Sequence, residues 1–107
     1  MNVIERATAA LKTRLEAAFT SAGLTEPLLI SIAGQPRLSG PNPSQAVRVA
    51  YQSEDADALA RVMPTIESVI DAAPKLAGLC RGMTLEPCVE LPGVVATYVR
   101  IGLPVQA

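Results

Sequence analysis

The chain has 107 residues, half of them hydrophobic, with nine basic and ten acidic side chains and a net charge of -1. That length fits a single domain, residues 1–107, whose folding takes roughly 65% of the unfolded chain's surface out of water. Balanced charge excludes the basic surface that sequence-specific nucleic-acid binding uses, and no lysine cluster offers a membrane contact.

The first segment, MNVIERATAALKTRLEAAF, places Val3, Ile4, Ala7, Leu11, Leu15, Ala18 and Phe19 on one helical face. Glu5, Arg6, Lys12, Arg14 and Glu16 fall mostly opposite. This predicts an amphipathic helix with Asn2 as its cap and Gly23 as the left-handed residue after its end. Charges run through the segment, so it lacks the apolar core of a signal peptide. The expectation is a chain that stays in the cytoplasm where it is made.

PLLISIAG, residues 27–34, alternates Leu28, Ile30 and Ile32 with Leu29, Ser31 and Ala33, and predicts a strand. QAVRVAYQ, residues 45–52, puts Val47, Val49 and Tyr51 on one side and Arg48 and Gln52 on the other. It reads as a half-buried strand, and a hairpin is its simplest pairing with the first. Between them lies GQPRLSGPNPSQ, residues 34–45, with two glycines and three prolines. It reads as a long connection outside the core. Such connections are often functional or disordered, so a binding arm stands beside a mobile loop without a role. Arg37, Leu38, Ser39 and Asn42 are therefore the candidate partner contacts, with Leu38 an apolar side chain at an exposed tip.

SEDADALARVMPTIESVIDAAP repeats Leu59, Val62, Met63, Ile66, Val69, Ile70 and Ala73 at helical spacing. Ser53 is the expected cap, and Glu54, Asp55 and Asp57 the expected first-turn acids. The apolar stripe passes Pro64 without losing phase, which predicts one kinked helix from about 55 to 73, with two shorter helices, the second opened by Pro64, as the alternative. GMTLEPCVE, residues 82–90, is strand-like, and Pro87 assigns it to an edge or a bulge. LPGV supplies a turn. VVATYVRIGLPV then sets Val95, Val99, Ile101 and Leu103 against Ala96, Tyr98 and Arg100. The resulting fold class is α+β: a two-layer sandwich of order αββαββ, with a four-stranded antiparallel sheet and helices packed on one face. The two halves share a layout but no clear sequence repeat. Only Phe19, Tyr51 and Tyr98 are aromatic, so the core is expected to be aliphatic, without stacked rings.

The chemistry-bearing residues are few. Histidine is absent, which removes the commonest general base and neutral metal ligand. Cys80 has Arg81 beside it, and a neighbouring cation can activate a thiol. A buried structural thiol is the favoured reading for both Cys80 and Cys88. Two cysteines leave a zinc site two ligands short, and the three acids lack calcium-loop spacing. No phosphate-binding glycine pattern occurs. These residues imply no enzyme and no cofactor.

The helix, the strand pair split by a long loop, the second helix ending in DAAPKLAGL and the closing pair MTLEPCVELPGVVATYVRIGLPV together resemble the tail-terminator and minor tail (neck) proteins of bacteriophages. The resemblance lies in layout over nearly the whole chain. It implies a virion protein made in the bacterial host cytoplasm. Such a protein would form a homo-oligomeric ring, usually of six copies, that caps the tail tube and joins tail to head through tube or connector proteins. The alternative is a small ferredoxin-like module that binds a ligand or regulates a partner.

Overall fold

The computed structural model describes residues 2–88 and 91–104. Its elements are α1 (Val3–Ser21), β1 (Leu29–Arg37), β2 (Ser44–Gln52), α2 (Ala56–Ala72), a short 3-10 turn (Leu76–Gly78), β3 (Gly82–Pro87) and β4 (Val94–Gly102). The α+β class and the αββαββ order expected from the sequence are those observed. Val89, Glu90 and Val105, which the alternation assigned to strands, lie outside the described residues.

Local chemistry explains where each helix begins and ends. Asn2 Oδ1 accepts the Glu5 amide at 2.8 Å and satisfies one of the free N–H groups at the start of α1. At the other end Gly23 has φ 76°. Its amide reaches Thr20 O at 3.1 Å, and the Leu24 amide reaches Phe19 O at 2.9 Å. That pair of reversed bonds is a Schellman closure, sealed by the buried Leu24. The cap of α2 is Asp55, whose Oδ1 accepts from the Asp57 amide at 2.9 Å. Ser53 sits two residues further out, accepting the Asp55 amide at 3.0 Å. Of the three expected first-turn acids, only Asp57 lies inside the helix. Pro64 stands within an unbroken α2. It is exposed, as is Ala60, whose carbonyl loses its usual partner to the proline. Water can take that carbonyl, so the helix continues.

The sheet has the order β1-β2-β4-β3 with every neighbour antiparallel. Opposed residues share a face, so the register sorts the side chains. Val47 faces Val99, Tyr51 faces Val95 and Gln45 faces Ile101 on the helix side. These join Ala7, Leu11, Leu15 and Phe19 of α1 and Ala58, Val62 and Ile66 of α2 in one buried cluster. Both helices therefore cover the same face. On the other face Arg48 lies opposite Tyr98 and Ala46 opposite Arg100. No helix or strand of the described residues covers that face.

Three expectations need correction. The core does hold an aromatic pair: Phe19 and Tyr51 meet edge to face, with centroids 5.6 Å apart and planes at 68°. The Tyr51 hydroxyl also accepts the Glu26 amide at 3.0 Å, which fixes the entry to β1. β2 is buried on nearly all sides rather than half-buried, because it is a central strand with small residues, Ala46 and Ala50, on its outer side. Most importantly, the connection between the first two strands is short. β1 runs on to Arg37 and β2 starts at Ser44, leaving a tip of residues 38–43. Gly34, at φ 70°, supplies the backbone turn of a bulge, and the register shifts between Ala33 and Arg37. Pro36 is tolerated because β1 is an edge strand, where a missing N–H removes no ladder bond if it faces outward. The expected edge position of the strand carrying Pro87 is observed.

The fold repeats where the sequence does not. α1-β1-β2 and α2-β3-β4 form two like halves, and β2 and β4 meet antiparallel with Arg48 opposite Tyr98 at mid-strand. Ala7, Leu11 and Leu15 in α1 are buried about one turn apart, and so are Ala58, Val62 and Ile66 in α2. Burial is repeated, residue type is not.

Candidate interaction surface

The hairpin tip is held from below. Gln45 is 1% exposed, on the helix side of β2. Its Nε2 donates to Ala33 O at 3.0 Å, Gly34 O at 3.3 Å and Ala46 O at 2.9 Å. A buried amide thus bonds backbone carbonyls on both strands where the bulge begins. Arg81, just ahead of β3, braces the tip from the side. Its Nε donates to Leu103 O at 2.5 Å, Nη1 to Asn42 Oδ1 at 3.0 Å and Nη2 to Pro43 O at 3.2 Å. The Leu103 amide completes the clasp on Pro43 O at 2.9 Å. One planar guanidinium therefore joins the tip, the end of β4 and the start of β3.

This geometry distributes the expected contact residues unequally. Arg37 ends β1 opposite Ser44 and is exposed. Leu38 is 65% exposed, the highest value among the large apolar residues that stand out from the core. Ser39 is exposed beside it. Asn42 is also exposed, but its carbonyl oxygen is already used by Arg81, so it supports the tip. Leu38 and Pro43 line a shallow depression with Val3, Ile4, Leu103 and Pro104. The tip is thus a braced projection with an apolar shelf at its side. Sequence reading found the tip but missed its supports. A glutamine after a proline-rich run and an arginine after a cysteine carry no signal of such roles.

The uncovered sheet face is polar and partly self-satisfied. Arg100 Nε pairs with Glu86 Oε1 at 2.7 Å, and its Nη1 donates to Ser44 Oγ at 3.2 Å. Tyr98 lies beside Cys88, and the hydrogen bond with that thiol pushes the phenol above its ordinary range. The thiol's negative charge when ionised and some burial act in the same direction, while Arg48 opposes them.

Thiol chemistry finds no support at Cys80. The residue is 4% exposed, its Sγ lies 3.6 Å from Pro74 O, and burial pushes its pKa up. The Arg81 guanidinium that could have activated it is spent on the clasp. Cys80 and Cys88 are both free thiols, and Cys88 is half-buried. Among the described residues no three acidic, cysteine or histidine side chains gather in a way that could hold a metal ion. No helix there is long and apolar enough to cross a membrane.

Comparison with family models, curated proteins and solved structures returned no match.

Proposed function

We propose that this protein is a structural subunit that works by docking onto copies of itself and onto partner proteins. We propose further that its place is that of a tail-terminator or neck subunit in a phage virion, ringing the end of the tail tube and carrying the head-joining surface. The observation that carries the first reading is Leu38: an apolar side chain at 65% exposure on a hairpin tip that Gln45 and Arg81 brace at its base. Bracing lowers the entropic cost of using the tip as a contact, and an exposed leucine gains by being covered. The buried Cys80 thiol, with its raised pKa, speaks against a nucleophile and so favours contact over bond-making. The second step rests on the resemblance in layout alone.

Native mass spectrometry and light scattering test both steps. The reading expects a closed ring of about six copies, alone or on adding tail-tube protein. A dimer that binds a small metabolite would replace it with the ligand-binding alternative. A persistent monomer that turns over a substrate would end both. Replacing Arg37 and Leu38 by serine should leave the fold intact, by circular dichroism, and weaken assembly. Unfolding of that double variant would mean the tip belongs to the core.

A further inference from the structure

The two edges of the sheet are not alike. β3 is short, carries Pro87 and has Glu86 on its outer side. Those are the devices that keep a strand from pairing with another chain. β1 has none of them over its regular part. From Pro27 to Pro36 there is no charged residue, and the proline and the bulge come only after Ala33. Leu29 is 52% exposed and Ile32 is 48% exposed, although Ile32 lies opposite the fully buried Val47. The helix layer thus stops short of this edge.

The run Leu29-Ile30-Ser31-Ile32-Ala33 is matched to itself. We infer that β1 is a self-pairing edge, which joins a second copy of this chain antiparallel about a two-fold axis at Ser31. Opposed residues in an antiparallel pair share a face. With Ser31 opposite Ser31, Ile30 of each copy meets Ile32 of the other on the helix side, and Leu29 meets Ala33 on the outer side. Each exposed Ile32 then lies over the gap that the helices leave beside Ile30. A one-residue slip would put isoleucine against the outer face, so odd shifts of register are excluded. The bulge at Gly34 ends the pairable run on both sides.

Charge points to the same partner and direction. Glu26 precedes the strand and Arg37 ends it, and both are exposed. Antiparallel self-pairing carries the Glu26 end of one copy towards the Arg37 end of the other, twice per dimer. The Glu26 backbone is fixed by its amide's bond to the Tyr51 hydroxyl. A parallel arrangement would set like charges together. The contact continues the sheet from four strands to eight and leaves the hairpin tips free.

This contact goes beyond the proposed ring and is tested apart from it. Sedimentation equilibrium on the full chain over roughly 1–200 μM should show a dimer whose dissociation constant rises at least about tenfold in Ile32→Lys. Arg37→Glu should weaken pairing, and the Glu26→Arg, Arg37→Glu double variant should restore it. Circular dichroism should show all three folded, since these side chains are exposed. Amide exchange at residues 30 and 32 should slow with concentration in the unaltered chain and not in Ile32→Lys. A wild-type monomer throughout overturns this contact, and overturns the ring as well if the chain stays monomeric on adding tail-tube protein. A ring or dimer that Ile32→Lys leaves unchanged overturns this contact alone. A dimer abolished by Ile32→Lys, with no larger ring on adding tube protein, supports this contact and overturns the ring. A charge swap that does not restore pairing overturns the antiparallel register.

Discussion

Gln45 is the side chain on which the hairpin's geometry most depends. Replace it with leucine, which keeps the bulk and removes the amide. The two hydrogens of Nε2 are shared among three carbonyls, at 2.9, 3.0 and 3.3 Å. Counted as two effective bonds at about 1 kcal/mol net each, their loss costs about 2 kcal/mol. The carbonyls of Ala33 and Gly34, only partly reachable by water, add to that, so about 2–3 kcal/mol is expected. For a domain of this size that lowers the melting temperature by roughly 10–20 °C. Gln45→Glu should be worse, because it buries a carboxylate facing three carbonyl oxygens. Thermal and urea denaturation give the totals. Hydrogen exchange gives the location: protection should fall first at residues 33–37 and 44–46 and persist in β4. A loss below about 0.5 kcal/mol for Gln45→Leu, or protection lost evenly over the sheet, would refute the role assigned to this amide.

Two further changes test Cys80 and Pro64. Under native conditions an alkylating reagent should modify Cys88 and reach Cys80 only after unfolding, as mass spectrometry of the labelled peptides will report; fast labelling of Cys80 would contradict its burial. The raised Cys80 pKa also has a sign: the folded state holds that proton more tightly, so this contribution is full below the ordinary thiol range and is lost as pH rises through the folded value. Cys80→Ala should therefore flatten the alkaline fall in stability. Pro64→Ala restores a helix hydrogen bond and removes a penalty of about 3 kcal/mol, against about 1 kcal/mol of added unfolded-state freedom. Because α2 is already accommodated to the proline, a net gain of about 1–2 kcal/mol in urea denaturation is expected. A loss of stability would mean that the proline ring itself is needed at this position.

Element order was legible because each element has its own period. Leu11, Leu15 and Phe19 recur at helical spacing, and Val47, Val49 and Tyr51 at strand spacing, and burial follows both. Gly23 and Asn2 could be assigned because caps are local chemistry. What could not be read was context. Gly34 and Pro36 punctuate a sequence, but at a sheet edge one becomes a bulge and the other an ordinary strand residue. Ser53 and Asp55 both suit a cap, and only the backbone path selects Asp55. Ala46 and Ala50 look indifferent to burial until β2 is known to be central. Of the candidate surface, Leu38 and Arg37 were visible as unusual residues in a polar run. Arg81 and Gln45 were not, because their partners lie in segments distant in the chain or are backbone carbonyls, which carry no residue signature.

The bulge also divides the first hairpin into two parts with separate uses. Ala33 pairs with Ala46, but Arg37 pairs with Ser44, so β1 spends two more residues than β2 in the same interval. The extra length bends the strand and increases its twist. A chain pairing along residues 29–33 must therefore stop at Gly34, and a partner resting on Leu38 meets a surface turned out of that line. Gln45 sits at the junction and bonds both carbonyls of the bend. Loosening it should disturb the tip more than the edge, since the edge register is set by the Ile30 and Ile32 pairs with Val49 and Val47. Gln45→Leu is accordingly expected to weaken contacts made through Leu38 while sparing those made through Ile32. Equal loss of both would mean that the hairpin acts as a single body, and that the bulge separates nothing.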